Sequence, residues 1–442
     1  HKITIGGAQL AYTATAGTML IQNEKDEPVA LFGFTAYVKD GSDPRTRPIM
    51  FAYNGGPGSA SIWLHMGVLG PKRTVLEDLK SNTSGPFLTV DNEFTILDRT
   101  DLVMIDPVGT GLSRLIGKGK DKDFWGVDQD IRSVSDFILR YITQYERWAA
   151  PKFVLGESYG GMRTAGVAYQ LLTKHSVALN GAVLVSPYLD FGSGTSGLNN
   201  IAADVNFLST YAATAWYHNA LADRPAELQP FLREVEAFAE EVYAPVLYKG
   251  SRATAAERQA VLTGLARYTG LDKGYWDKAN LRIEENQFLQ ELLRDQGLVV
   301  GRIDTRYTGG TVSALSELTP YDPFDGAIGP AVVASFNDYY RKELGVTCER
   351  PYRVSADLWE TWDHSHKQPG YFWGKVPTAN TLVDLGRAMT RNPKMKVLMQ
   401  TGYFDLACPY RIVEYAIEHL PVTPAIRSNV SDLSAFIDAS VR

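Results

Sequence analysis

Gly156-Glu157-Ser158-Tyr159-Gly160 fits G-x-S-x-G, an arrangement that presents a serine hydroxyl for covalent catalysis. An apolar run, Phe153-Val154-Leu155, leads in as a buried strand, and a helical pattern from Arg163 to Lys174 leads out. That strand–turn–helix context gives the motif its chemical meaning. The serine sits on a strained turn with its hydroxyl exposed, and the glycines let the backbone pass close to the following helix. The chemistry predicted is hydrolysis or acyl transfer through a covalent serine ester.

Such a reaction needs hydrogen-bond donors for an oxyanion, and a base oriented by a carboxylate. Asn54-Gly55-Gly56-Pro57-Gly58-Ser59 follows an early apolar run and leaves backbone N–H groups free. Gly56 is expected to supply one oxyanion donor and Tyr159 the other. Alone, this stretch is a turn; the elbow downstream gives it a functional reading. Asp405, in Thr401 to Pro409 (TGYFDLACP), follows another apolar run and lies downstream of Ser158. The order Ser…Asp…His is that of α/β-hydrolases, so Asp405 is the expected orienter of a histidine base. Ile105 to Ser113 (IDPVGTGLS) contains no nucleophile or base and reads as a structural turn. Cys408 reads as a small buried hydrophobe or a neighbour of the substrate pocket, not as a nucleophile.

These loops need a frame. Pro48–Tyr53, Asp101–Ile105, Lys152–Leu155, Gly181–Val185 and Lys396–Gln400 read as buried strands. Asp128–Tyr145 and Arg163–Lys174 read as helices between them. The alternation predicts an α/β fold with a central, mostly parallel sheet covered on both faces. Ala11–Thr13 and Ala30–Val38 predict an antiparallel start. After Pro187 the pattern turns helical, in Pro230–Tyr248, Thr254–Tyr268 and Ala279–Arg294. A large, mainly helical cap is therefore expected over 190–375, with the core in 1–189 and 376–442.

Bulk properties exclude some classes. The 442 residues are 45% apolar and 21% charged with a formal charge of −6, which leaves no electrostatic footprint for nucleic acid. No apolar stretch reaches the length of a membrane span. Cys348 and Cys408 cannot build a disulfide framework or a zinc site. The sequon Asn82-Thr83-Ser84 reads as a polar loop, and the start at His1 without Met suggests a removed leader. No cofactor or metal is implied, because side chains and water complete the chemistry.

Taken together, NGGPGS (Asn54–Ser59), DPVGTGLS (Asp106–Ser113), GESYGG (Gly156–Gly161) and GYFDLACP (Gly402–Pro409) resemble the serine carboxypeptidase family of α/β-hydrolases. The resemblance covers about 48–192 and 395–410. It implies release of the C-terminal residue from a peptide with a free C-terminus, by a secreted or periplasmic enzyme. It also implies that Asn54, the N–H of Gly55 and Glu157 bind the substrate's terminal carboxylate. Glu157 must then be protonated to donate a hydrogen bond, which predicts activity favoured in acid. Val68 stands where eukaryotic members carry a second glutamate, consistent with a bacterial-type member.

The family's histidine is missing from its place. Thr423 to Val430 reads as a strand, and Ser431 to Ile437 already reads as the terminal helix. A segment carrying the base is expected between Val430 and Ser431. His419 reads as a helix-surface residue, His364 and His366 as loop residues of the insertion, and His65, His175 and His218 as misplaced for the role. An esterase or acyltransferase on the same scaffold is one alternative. A non-catalytic binding protein is the other, if the histidine is truly absent.

Overall fold

Ile49–Tyr53 and Asp101–Asp106 are buried at every position, as only a strand covered on both faces can be. The structure, a computed structural model, describes residues 1–194 and 200–434. Its main sheet contains β1 (Lys2–Ile5), β2 (Ala8–Gln22), β3 (Pro28–Lys39), β4 (Ile49–Tyr53), β5 (Asp101–Asp106), β6 (Lys152–Glu157), β7 (Gly181–Val185), β8 (Lys396–Thr401) and β9 (Val430–Ser434). Their spatial order is β1-β2-β3-β5-β4-β6-β7-β8-β9. The pairs from β1 to β5 are antiparallel, as the early aromatic and β-branched runs predicted. From β5 to β9 every pairing is parallel.

Strand order reverses at β4. The chain runs from β4 to β5 on one side, then crosses to β6 on the other. Tyr53 at the end of β4 is level with Gly156 on β6, so the two motif loops leave the sheet side by side. This is the switch point at which open α/β sheets bind ligands. Helices α1 (Val127–Gln144) and α2 (Tyr159–His175) cover the sheet beside it.

The C-terminal expectation needs correcting. A short helix, Pro424–Arg427, occupies the span read as a strand, and Ser431–Ser434 is strand where a helix was expected. Ile437 lies outside the described residues. Val430 and Ser431 pair with consecutive residues of β8, Val397 and Leu398, so strand β9 runs through the junction at which a histidine-bearing segment is expected. Ser431-Asp432 looks locally like a helix start. The open edge of β8 offers that backbone a full set of partners, which overrides local preference.

Packing also divides the insertion more finely than the 190–375 expectation. Helices α3 (Ile201–Tyr217), α4 (Leu228–Phe238) and α5 (Ala255–Thr269) enclose a second apolar cluster, with Tyr211, Leu232 and Leu265 inside it and Phe404, Leu406 and Tyr410 joining it from the core. Next come α6 (Glu285–Glu291) and a hairpin, Leu298–Val300 with Thr308–Gly310. Helix α7 (Pro323–Lys342) instead lies on the core, where the hydroxyls of Tyr339 and Tyr37 are 3.0 Å apart. The following segment returns across the core and buries Leu358 and Trp362 there.

His366 pins that segment. Its Nδ1 lies 2.7 Å from Asp128 of α1, and its Nε2 lies 2.9 Å from Asp384 of α8 (Leu382–Arg391). Burial alone would lower its pKa, but the hydrogen bonds and charges of Asp128 and Asp384 lift it to about 9. A histidine raised on folding stabilises fully below its unfolded pKa, and that contribution is lost as pH climbs through 9. Urea unfolding of the wild type should therefore show a loss of about 3 kcal/mol between neutral pH and pH 10. His366→Ala should be weakened by roughly 3–5 kcal/mol at neutral pH, and the gap to wild type should close as pH rises. A pH-independent gap would contradict this assignment.

Candidate active site

Ser158 joins β6 to α2 with φ at +56°, an unusual conformation for an L-residue that costs about 1–3 kcal/mol. Neighbours hold it there. Its N–H donates to the Val185 carbonyl at 2.9 Å, and its carbonyl accepts from the N–H groups of Gly161 and Tyr188. A Cβ at Gly156 would lie 2.1 Å from the Gly160 carbonyl oxygen, so β6 and α2 can meet this closely only at glycine. A Cβ at Gly55 would lie 2.6 Å from the Tyr159 nitrogen, so the loop after β4 rests directly on the elbow.

Beneath the elbow sits Arg163, whose side chain is fully buried. Its Nε donates to Asp130 of α1 at 2.7 Å, and one Nη donates to the Asn54 carbonyl at 2.8 Å. The guanidinium carbon lies 5.0 Å from the Tyr53 ring centroid and 5.2 Å from that of Tyr159. The Tyr159 hydroxyl donates to the same Asp130 at 3.1 Å. One cation thus joins the ends of β4, α1 and α2.

Asn54 is oriented from behind: its Oδ1 accepts the Leu64 N–H at 3.0 Å. This turns Nδ2 toward Glu157, to which it donates at 2.9 Å, and the Gly55 N–H donates to the same oxygen at 3.2 Å. Burial raises the pKa of Glu157, against the pull of these two donors and of Arg163. Val68 is 54% exposed, in the turn that follows Leu64.

Asp405 follows β8 and accepts the Cys408 N–H at 2.8 Å and a hydrogen bond from the Ser186 side chain. Burial, with the nearby Glu157 adding to it, pushes its pKa up to about 7. The Cys408 Sγ stands 3.8 Å from the Ser158 Oγ. Burial and the carboxyls of Asp405 and Glu157 hold this thiol far above its ordinary range, so it stays a protonated, inert neighbour. The structure therefore brings Asn54, Gly55, Glu157, Ser158 and Asp405 together.

A cavity of about 350 Å³ opens on Ser158 and is also lined by Gly56 and Tyr159. Tyr159 opens α2, so its N–H has no intrahelical acceptor, and Gly56 holds φ at +105°. Tyr188, Phe191 and Trp359 give the cavity an aromatic side; Arg302 and Glu285 give it a charged one. Sequence reading missed both sides, because the insertion shows only amphipathic periodicity. The hairpin turn bearing Arg302 is bonded to the Asp405 loop. The Arg302 carbonyl accepts from Leu406 and Ala407, and the Thr305 N–H donates to the Phe404 carbonyl at 2.8 Å.

No histidine among the described residues is hydrogen-bonded to Ser158 or Asp405. His65 meets Tyr37, His218 the Thr305 carbonyl, His366 its two aspartates and His419 the Tyr415 carbonyl. His364 packs on Phe191 and Trp359. The DPVGTGLS turn is structural, as expected: Asp106 accepts from the Ser61 N–H and the Tyr352 hydroxyl.

A serine carboxypeptidase family profile matches residues 11–245, more than half of the 442. Serine carboxypeptidase-like 10 of Arabidopsis thaliana is 25% identical over 174 residues, 37% of this chain and 37% of that protein. Serine carboxypeptidase-like 16 of the same plant is 27% identical over 176 residues, 38% and 39% respectively. The matches thus span under two-fifths of these relatives, and as plant proteins they do not support a bacterial-type assignment. Kex1Δp, a prohormone-processing carboxypeptidase from Saccharomyces cerevisiae, is similar in fold. It gives a TM-score of 0.54 at 15% identity over 96% of this chain and 79% of that one.

A carboxyl whose pKa rises on folding destabilises the fold when it ionises. Stability then falls as pH rises from its unfolded value to its folded one, here about 7, and stays low above. Asp405→Asn keeps an acceptor for Cys408 and Ser186 while removing the charge. In urea at pH 8 it should be more stable than wild type by on the order of 1–3 kcal/mol, with the gain vanishing near pH 4. Equal stability of the two proteins at pH 8 would contradict the pKa assignment.

Proposed function

The chain belongs to the serine carboxypeptidase family, and from this we propose that it releases the C-terminal residue of peptides through an acyl-enzyme on Ser158, most effectively in acid. The observation that carries the reading is Glu157, held by Asn54 and the Gly55 N–H one residue before the nucleophile. A buried, protonated carboxyl there can donate to the carboxylate of a leaving residue, with Asn54 and Gly55 as further donors. Ser158 attacks the last carbonyl, and the N–H groups of Gly56 and Tyr159 receive the oxyanion. Asp405 orients the imidazole that takes the serine proton.

Where that imidazole enters follows from the sheet. Ser434, at the end of β9, is level with Thr401, from which the Asp405 loop departs. The reading requires an imidazole at this edge of the sheet, beside Asp405, on the segment expected at the Val430–Ser431 junction. Residues 435–442 contain no histidine, and no described histidine is hydrogen-bonded to Ser158 or Asp405. That one observation favours a second reading, a binding protein that keeps the fold and the carboxylate pocket. The proposed partner in both cases is a peptide with a free C-terminus. A secreted or periplasmic location belongs to the same proposal. No helix among the described residues is long and apolar enough to cross a membrane. Val68 is the sole support for a bacterial-type member.

A fluorophosphonate separates the two readings. Rapid labelling of the full-length protein, abolished in Ser158→Ala, supports the enzyme; failure to label supports the binding protein. On blocked dipeptides kcat/KM should fall as pH rises and Glu157 ionises. Glu157→Gln should lose that dependence, while hydrolysis of simple esters, which lack a terminal carboxylate, should be insensitive to the substitution. A peptidase profile that stays flat from acid to neutral pH would overturn the role of Glu157.

A further inference from the structure

The elbow's cavity contains a cation that the mechanism above does not use. Arg302 lines it together with Ser158, and its side chain is 48% exposed. Its main chain is fixed on both sides. The carbonyl accepts from Leu406 at 3.0 Å and Ala407 at 3.1 Å, and the N–H donates to Asp322 at 3.0 Å. The guanidinium is oriented by Glu285, which takes Nε and is itself only 18% exposed. The two Nη groups meet no protein acceptor among the described residues. A guanidinium held through Nε keeps its Nη edge for a second, bidentate carboxylate.

We propose that Arg302 is a specificity-determining residue, receiving an acidic side chain on a substrate residue next to the scissile bond. The inference rests on the peptidase reading above. The terminal carboxylate already has donors in Asn54, Gly55 and Glu157, so the unused carboxylate acceptor site belongs to a side chain. Tyr188, Phe191 and Trp359 line the same cavity and offer aromatic surface to the other side chain. Glu285 and Asp405 lie near the cation, so the selection comes from the geometry of the fork more than from net charge.

The test compares blocked dipeptides that differ only by Glu against Gln, placed on either side of the scissile bond, at about pH 6, where a free glutamate is ionised. Matching N-blocked amino-acid nitrophenyl esters, which lack a terminal carboxylate, form the second arm. Wild type should prefer Glu over Gln by roughly 10- to 100-fold at one of the two positions. Arg302→Gln should erase that preference and leave the Gln substrates unchanged; Arg302→Lys, which keeps the charge but not the fork, should restore only part of it. Equal rates for Glu and Gln in wild type would overturn the proposal. So would an Arg302→Gln loss shared by all peptides but not by esters, since it would assign the guanidinium to the terminal carboxylate. If neither peptides nor esters turn over, the enzyme reading has failed. Calorimetric binding of the Glu and Gln dipeptides to wild type and Arg302→Gln then decides the role of Arg302 separately.

Discussion

The buried guanidinium of Arg163 is the constraint around which this site is assembled. It neutralises Asp130 on α1, grips the carbonyl of Asn54 after β4, and lies against the rings of Tyr53 and Tyr159. A lone buried charge is very costly, so cation, anion and carbonyl must stay in register. That requirement fixes the first turn of α2 against the loop holding Asn54, Gly55 and Gly56. The strained φ of Ser158 persists because this framework leaves the backbone no easier path. The proposed oxyanion donors and the serine are therefore positioned by packing beneath them, before any ligand arrives.

Above the framework the chemistry depends on carboxyls that water would ordinarily keep ionised. Burial raises the pKa of both Glu157 and Asp405, and the nearby Glu157 raises that of Asp405 further. In the proposed mechanism the two residues have opposite tasks, one to donate a proton in a hydrogen bond and one to stabilise an imidazolium. A pair of nearby carboxyls sharing limited ionisation can serve both in acid, where one is protonated and the other is drawn into charge by a cationic partner.

Much of the site was legible in the sequence because its logic is local. Glycines flank a serine after an apolar run, and each motif loop follows a buried strand, so residues far apart in the chain converge at one edge of the sheet. What escaped depends on partners distant in sequence. Arg163 reads as an ordinary helix residue until Asp130 and Asn54 are placed beside it. Ser431–Ser434 reads as a helix until the edge of β8 is available to pair with it. Arg302 carries no local signature, since only the hairpin turn and the Asp405 loop together bring it to Ser158. His366 reads as a loop residue because its two aspartates lie on separate helices.

The hydrogen bonds between the hairpin turn and the loop of Asp405 have a mechanical consequence. Thr305, Leu406 and Ala407 stitch the insertion to the very segment that carries the acid. A cap hinged elsewhere could swing open over an undisturbed reaction centre; this one cannot. Any displacement of the hairpin pulls on Asp405, so admitting a bulky chain and keeping the acid in line become a single degree of freedom. In the proposed mechanism, substrate size is then sensed by the alignment of Asp405 as well as by steric exclusion at an entrance.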